Sequence, residues 1–85
     1  MDKYSIEIIS KAEKEFLKLP ELVRLKIRKR ILSLEDNPRP FGHKKLKETE
    51  YYRIRSGDYR VLYRIDDRMK IVKVLSIAHR KDAYR

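Results

Sequence analysis

Two alternating runs on either side of a tight turn constrain this chain more than anything else in it. Tyr51-Tyr52-Arg53-Ile54-Arg55 and Tyr59-Arg60-Val61-Leu62-Tyr63-Arg64-Ile65 flank Ser56-Gly57-Asp58, a turn signal of the kind that closes β-hairpins. Side chains alternate faces along a strand. Pairing Ile54 with Val61 and Tyr52 with Tyr63 joins the apolar sets on one face. The same parity forces Arg53, Arg55 and Arg60 onto the other face, with Arg55 and Arg60 opposite or diagonal. Asp66-Asp67-Arg68 then reads as a second turn, and Met69 to Ile77 as a third strand, apolar on nearly both faces and therefore central. Three strands joined by tight turns make an antiparallel meander.

The N-terminal half has helical periodicity after one short strand. Tyr4-Ser5-Ile6-Glu7-Ile8 alternates as a half-buried strand does. Ser10 with Glu13 three residues on has the form of a capping box, opening a short helix with Ala12, Phe16 and Leu19 on one face. Pro20 suits the first turn of a second helix, running to about Asp36 with Val23, Ile27, Ile31 and Leu34 as its inner stripe. Leu25 and Leu32 lie on the opposite side of that helix. Their spacing favours packing in the core or in the helix hairpin over a partner-binding patch. Asn37-Pro38-Arg39-Pro40-Phe41-Gly42 is the one loop-rich stretch, and it separates the helical part from the strand-rich part. The expectation is an α+β fold: an N-terminal strand, a helical hairpin and a three-stranded meander, forming one sheet packed by two helices. With 85 residues there is length for one domain, 1–85, and not for two.

Charge narrows the function. Lys and Arg number 23 against 13 Asp and Glu, a formal charge of +10. Such a surface attracts polyanions. The absence of Cys removes disulfides, zinc thiolates and Cys nucleophiles, and two His, His43 and His79, are too few and too far apart for a metal site. No cofactor is expected. No apolar anchor, signal peptide or membrane-spanning run stands out, so the expected location is cytoplasmic and no membrane partner is expected.

Like charges directly across a sheet destabilise it. Edge strands do carry positive charge to resist aggregation, but a cross-strand cluster of arginines is better explained as a seat for phosphate, which Arg binds with paired donors. His79-Arg80-Lys81-Asp82-Ala83-Tyr84-Arg85 follows the third strand without a spacer, so Arg80 should be held near the sheet. His79 can exchange protons near neutral pH. Tyr84 can stack on a base or donate a proton. These parts suit RNA cleavage by attack of the 2′-OH on the adjacent phosphate. That reaction needs the backbone oriented, the growing charge stabilised and two protons managed, and it requires no metal.

With those residues in view, the chain resembles the RelE/ParE toxin superfamily, and within it the RelE-type messenger-RNA endonucleases of type II toxin–antitoxin systems. The resemblance covers nearly the whole chain. It includes the Asn-Pro-Arg-Pro-Phe-Gly loop and Lys45-Leu46. More specific are the stretch from Tyr52 through the Gly57-Asp58-Tyr59-Arg60 turn to Tyr63, and the Ile77-Ala78-His79-Arg80-Lys81-Asp82-Ala83-Tyr84 ending. It implies a toxin that enters the ribosomal A site, cuts mRNA there, and is neutralised by a co-expressed antitoxin. It implies Arg53, Arg55, Arg60, Arg80 and Tyr84 as the working residues, with His79 as a further candidate and Lys44, Lys45, Lys47, Arg64, Lys81 and Arg85 on the RNA. RelE toxins carry Lys where this chain has Arg53 and Arg55. Arg stays protonated, so the general-base role moves towards Tyr84 or His79, or is left to the ribosome-bound RNA. Other classes share the scaffold: a ParE-like inhibitor of DNA gyrase, which does not need this arginine–tyrosine set, and a non-catalytic RNA or ribosome binder.

Overall fold

The computed structural model describes residues 3–80. In chain order the elements are β1 (Ser5–Ile8), α1 (Ser10–Leu17), α2 (Glu21–Ser33), β2 (Lys44–Lys45), β3 (Tyr51–Ser56), β4 (Tyr59–Asp66) and β5 (Ile71–His79). They form a five-stranded sheet of order β1-β5-β4-β3-β2. The β3–β4–β5 meander is present, and β4 is the middle strand with β5 beside it. β1 runs parallel to β5 on the meander's far side, while β2 adds a short antiparallel rung to β3. Among the described residues no helix is long and apolar enough to cross a membrane.

The core lies between the two helices and one face of the sheet. Ala12 from α1, Ile27 and Ile31 from α2, and Leu34 just beyond it meet Ile54, Val61, Tyr63, Val72, Val74 and Ile77. The inner stripes of both helices are therefore where their spacing put them. Tyr63 is fully buried, and its hydroxyl donates to the Pro38 carbonyl at 2.7 Å.

Several boundaries and one packing expectation are corrected. The Ser10/Glu13 capping box does not form. Ile9 is the N-cap, because its N–H donates to Val74 O and holds it extended at the end of β1, and the Glu13 N–H bonds Ile9 O. Ser10 is thereby drawn into the helix itself. Pro20 lies one place outside α2, its carbonyl accepting from the Arg24 N–H. α2 ends at Ser33, short of Asp36, where the N–H groups of Leu34, Glu35 and Asp36 turn to carbonyls three residues back. The last strand begins at Ile71 instead of Met69. The β4–β5 turn takes four residues, with Lys70 in the left-handed region (φ 57°) and the Met69 N–H on Asp66 Oδ1. The strand accordingly runs on to His79. Leu25 and Leu32 do not pack inside: they are 49% and 46% exposed, and with Leu22 at 73% they form an outward apolar stripe on α2.

A β-bulge in β5 changes what the sheet shows on each side. Leu62 pairs with Ser76, but Tyr63 pairs with Val74, so Leu75 has no partner across β4. The extra residue reverses the parity of everything after it. Val72 and Val74 face the helices before the bulge, and Ile77 and His79 do so after it. Ser76 and Ala78 are turned to the open face. Just past the end of β1, Glu15 of α1 takes up the loose strand: its Oε1 accepts from the Ile77 N–H (3.0 Å) and from the Ser76 hydroxyl (3.2 Å).

Candidate nucleic-acid interface

The face of the sheet away from the helices carries the arginines in the register that parity requires. Ile54 pairs with Val61, Tyr52 with Tyr63, and Arg55 lies directly opposite Arg60. The hairpin loop is Gly57-Asp58, closed by Ser56 and Tyr59. Gly57 has φ +59° and Asp58 does not share that region, the pattern of a type II′ turn. In a two-residue hairpin the closing pair is hydrogen-bonded. Arg55 and Arg60, one step further, are then a non-hydrogen-bonded pair, the type with the closest side chains (Cα atoms about 4.5 Å apart). The main-chain groups of Arg55 accordingly point to the outer edge of β3, where its carbonyl accepts from Arg30 Nε at 3.1 Å.

The neighbouring rung runs Lys44, Arg53, Leu62, Ser76 across four strands. Arg53 is half-buried there, and its Nε is out of contact with solvent and lacks a hydrogen-bond partner among the described residues. Arg60 pairs with Ala78 on its other side. Arg80 follows β5 immediately and is fixed to the same hairpin, its backbone N–H donating to the Asp58 carbonyl at 2.7 Å. Among the described residues no acidic side chain forms an ion pair with Arg53, Arg55 or Arg80. Like-charged guanidiniums are thus gathered at the hairpin end, on paired strands and the residue that follows them.

His79 lies elsewhere. After the bulge it pairs with Tyr59 on the helix side of the sheet, its ring edge-on to the Tyr59 ring at 5.3 Å. Arg64 is on the open face but at the far end, in an exposed ion pair with Glu50 at 2.9 Å. Lys45 pairs with Tyr52 and so belongs to the other side of β2 from Lys44; with Lys47 it borders a concavity beside the β2–β3 loop. Lys81, Tyr84 and Arg85 lie outside the described residues.

Three supporting residues were not evident from sequence. Arg30 and Glu15 sit among other charged residues of α1 and α2, and nothing in their spacing marks them as strand anchors. Arg39 is the third. From the Pro-rich loop it bonds both Asp67 carboxylate oxygens (2.9 and 3.2 Å), bonds the Tyr52 hydroxyl and lies over the Tyr52 ring. Tyr4 completes the strap by donating to Asp67 Oδ1 at 2.6 Å. The hydrogen bonds from Arg39 and then Tyr4 hold the Asp67 carboxyl at about 2, below its ordinary 3.8, and the same contacts raise the Arg39 pKa. Burial pushes the Tyr63 hydroxyl up to about 12. The strap is remote in register from the Arg55–Arg60 pair, and it holds the loop and the β4–β5 turn together.

The fold is a helix-backed sheet whose open face gathers guanidiniums at one end. Comparison with known proteins identifies its kind. The model of a family described as the ParE toxin of the type II toxin–antitoxin system parDE matches residues 6–84. RelE1 of Methanocaldococcus jannaschii is 36% identical over 89 residues, covering 98% of this chain and 97% of its own. The mRNA interferase toxin RelE of Escherichia coli is 30% identical over 80 residues, covering 92% and 84%. The RelE–RelB complex of Pyrococcus horikoshii contains a chain that superposes with a TM-score of 0.83 at 31% identity, covering 95% of this chain and 99% of that one. The chain belongs to the RelE/ParE toxin superfamily, and its relatives and fold place it with the RelE-type toxins.

Proposed function

We propose that this protein is a toxin that cleaves mRNA in the ribosomal A site and is held inactive by a cognate antitoxin. The observation that carries the reading is the opposition of Arg55 and Arg60, with Arg80 pinned to the turn beside them. Three cations carried on or tied to one hairpin suit a phosphate whose charge grows during reaction. The RelE names of relatives that span nearly the full chain, one of them an mRNA interferase, support the same reading.

In the proposed reaction the RNA 2′-oxygen attacks the adjacent phosphorus. A 2′-O–P bond forms and the P–O5′ bond breaks, leaving a 2′,3′-cyclic phosphate and a 5′-hydroxyl. Arg53 and Lys44 orient the backbone, while Arg55, Arg60 and Arg80 stabilise the charge on phosphorus. One proton leaves the 2′-OH and one is delivered to O5′. Tyr84 is assigned this proton work together with base stacking. It follows Arg80 by four residues, which caps their Cα separation at about 14 Å. The position of His79 on the helix side favours Tyr84 over His79 for the step. Lys81 and Arg85 add backbone contacts. The superfamily also includes gyrase inhibitors, which have no need of an opposed arginine pair. Single-turnover assays on ribosomes programmed with defined mRNA decide: site-specific cuts establish the nuclease, gyrase inhibition with intact mRNA establishes the ParE-like activity, and ribosome binding without either establishes a non-catalytic binder.

A further inference from the structure

The open face does not end at its arginines. Tyr51 starts β3 and shares a face with Arg53 and Arg55, two and four residues along the strand. It pairs with Arg64. It is 38% exposed, so part of its ring is open to solvent. Between this pair and the β2–β3 loop lies an open concavity of about 680 Å³, bordered also by Lys45, Lys47, Glu48 and Glu50.

The backbone around Tyr51 is firmly held. Its carbonyl accepts from the Leu46 N–H at 2.9 Å and its N–H donates to Thr49 Oγ1 at 3.1 Å. Thr49 returns both its N–H and its hydroxyl to Leu46 O, and Glu48 takes the left-handed conformation that closes the loop. The ring is thus presented from fixed backbone beside a wall of mixed charge. Two carboxylates make this a poor seat for phosphate. They suit a base, whose exocyclic amines donate hydrogen bonds and whose π-face stacks on an aromatic ring. The cations Lys45, Lys47 and Arg64 keep the surroundings favourable to a polyanion. The Arg64–Glu50 pair is exposed on both sides and is easily opened.

Spacing then connects the two ends of the face. Strand residues advance about 3.3 Å each, so Arg53 is roughly 7 Å and Arg55 roughly 13 Å from Tyr51 along β3. A step of two strand residues is within the reach of one extended nucleotide. We propose that the Tyr51 ring is a stacking seat for an RNA base two nucleotides from the phosphate gripped by Arg55 and Arg60, with Arg53 on the phosphate between. This rests on the RNA-directed reading above and extends it from the backbone to a particular base.

The test uses full-length protein and programmed ribosomes. Cleavage of a natural message by the wild type decides the nuclease reading separately. Binding is then measured with a cut-resistant message, 2′-deoxy at the scissile nucleotide, in which a single abasic residue is walked over three positions on either side. Tyr51→Ala should weaken binding by roughly 5- to 150-fold, the range of one base–aromatic stack. One abasic position, two nucleotides from the cut, should weaken wild-type binding to the same extent and cost nothing further in Tyr51→Ala. Abasic substitution leaves the protein untouched, so this arm does not depend on how well the variant folds. Wild-type binding that is equally tolerant of an abasic residue at every position overturns the proposal. So does a loss in Tyr51→Ala that adds in full to each abasic loss, which would make Tyr51 a contact for protein or a packing residue.

Discussion

The backbone N–H of Arg80 donates to the carbonyl of Asp58 at 2.7 Å, tying the residue after the last strand to the turn between β3 and β4. The contact joins residues 22 positions apart and ties the Gly57-Asp58 turn to the candidate site. Gly57 carries φ +59°, and a Cβ there would meet nothing within 4 Å, so Gly57→Ala is a test of backbone conformation and not of crowding. An L-residue held in so sparsely populated a conformation costs on the order of 1–3 kcal/mol. The variant should lose about that much stability in denaturant titration and should cleave more slowly. Arg60→Ala and Arg80→Ala, which leave the turn intact, should keep wild-type stability and ribosome binding while the single-turnover rate falls ~10²–10³-fold. An unchanged rate in either would remove it from the charge-stabilising set.

In the proposed reaction Tyr84 and His79 are the candidates for the proton work, and the bulge at Leu75 turns His79 to the helix side of the sheet. Tyr84→Phe keeps the ring and deletes the hydroxyl. It should slow single-turnover cleavage by on the order of 10²–10⁴-fold if that hydroxyl moves a proton. His79→Gln should have a smaller effect, since His79 packs against Tyr59 on the helix side. Wild-type speed in both variants would refute the mechanism. A slow His79→Gln with a fast Tyr84→Phe would transfer the proton role and leave Tyr84 with stacking alone.

Salt reads the number of phosphates engaged. Affinity for a single strand falls with the logarithm of salt at a slope of about −0.7 per neutralised phosphate. Arg53→Ala and Arg55→Ala should each make the slope shallower by about that amount in ribosome-binding titrations. A flat dependence in the wild type would contradict a backbone-reading face.

Asp67 gives the fold an acid limit. Its carboxyl titrates at about 2 in the folded chain against an ordinary 3.8, chiefly through Arg39. A folded-state pKa that is depressed adds stability above the ordinary value and loses it as pH falls through the folded one. The melting temperatures of wild type and Asp67→Asn should therefore differ above about pH 4 and converge as the pH approaches about 2. A constant gap across that window would mean the strap does not depend on the ionised carboxylate.

What the sequence disclosed depended on periodicity. The β3–β4 register, the opposition of Arg55 and Arg60, and the inner stripes of both helices all follow from the two periods of 2 and 3.6 residues. Departures from period were invisible. The bulge at Leu75 inserts one residue into an otherwise apolar strand and gives no local signal, so the face on which His79 emerges could not be read from alternation. The strap from Arg39 to Asp67 joins residues 28 apart through a loop, and nothing in either segment announces the other. The capping box had the right residues, but pairing of Ile9 with Val74 O moved the helix start by one position. Propensity at a helix end yielded to a tertiary hydrogen bond.

Leu22, Leu25 and Leu32 remain as an exposed stripe that folding does not use. Three leucines on the solvent side of one helix contribute little to the core, and surface substitutions away from structural features usually shift stability by less than about 0.5 kcal/mol. Leu25→Ser with Leu32→Ser should therefore leave the melting temperature close to wild type. If the proposed antitoxin lays an amphipathic segment on α2, the same double variant loses buried apolar contact in the complex. Anchors of this kind are worth more than about 1 kcal/mol each when truncated, so affinity for the antitoxin should drop by at least about fivefold per residue in calorimetric titration. A folded double variant that binds the antitoxin as tightly as the wild type would return the stripe to ordinary surface and confine the antitoxin to the cationic face.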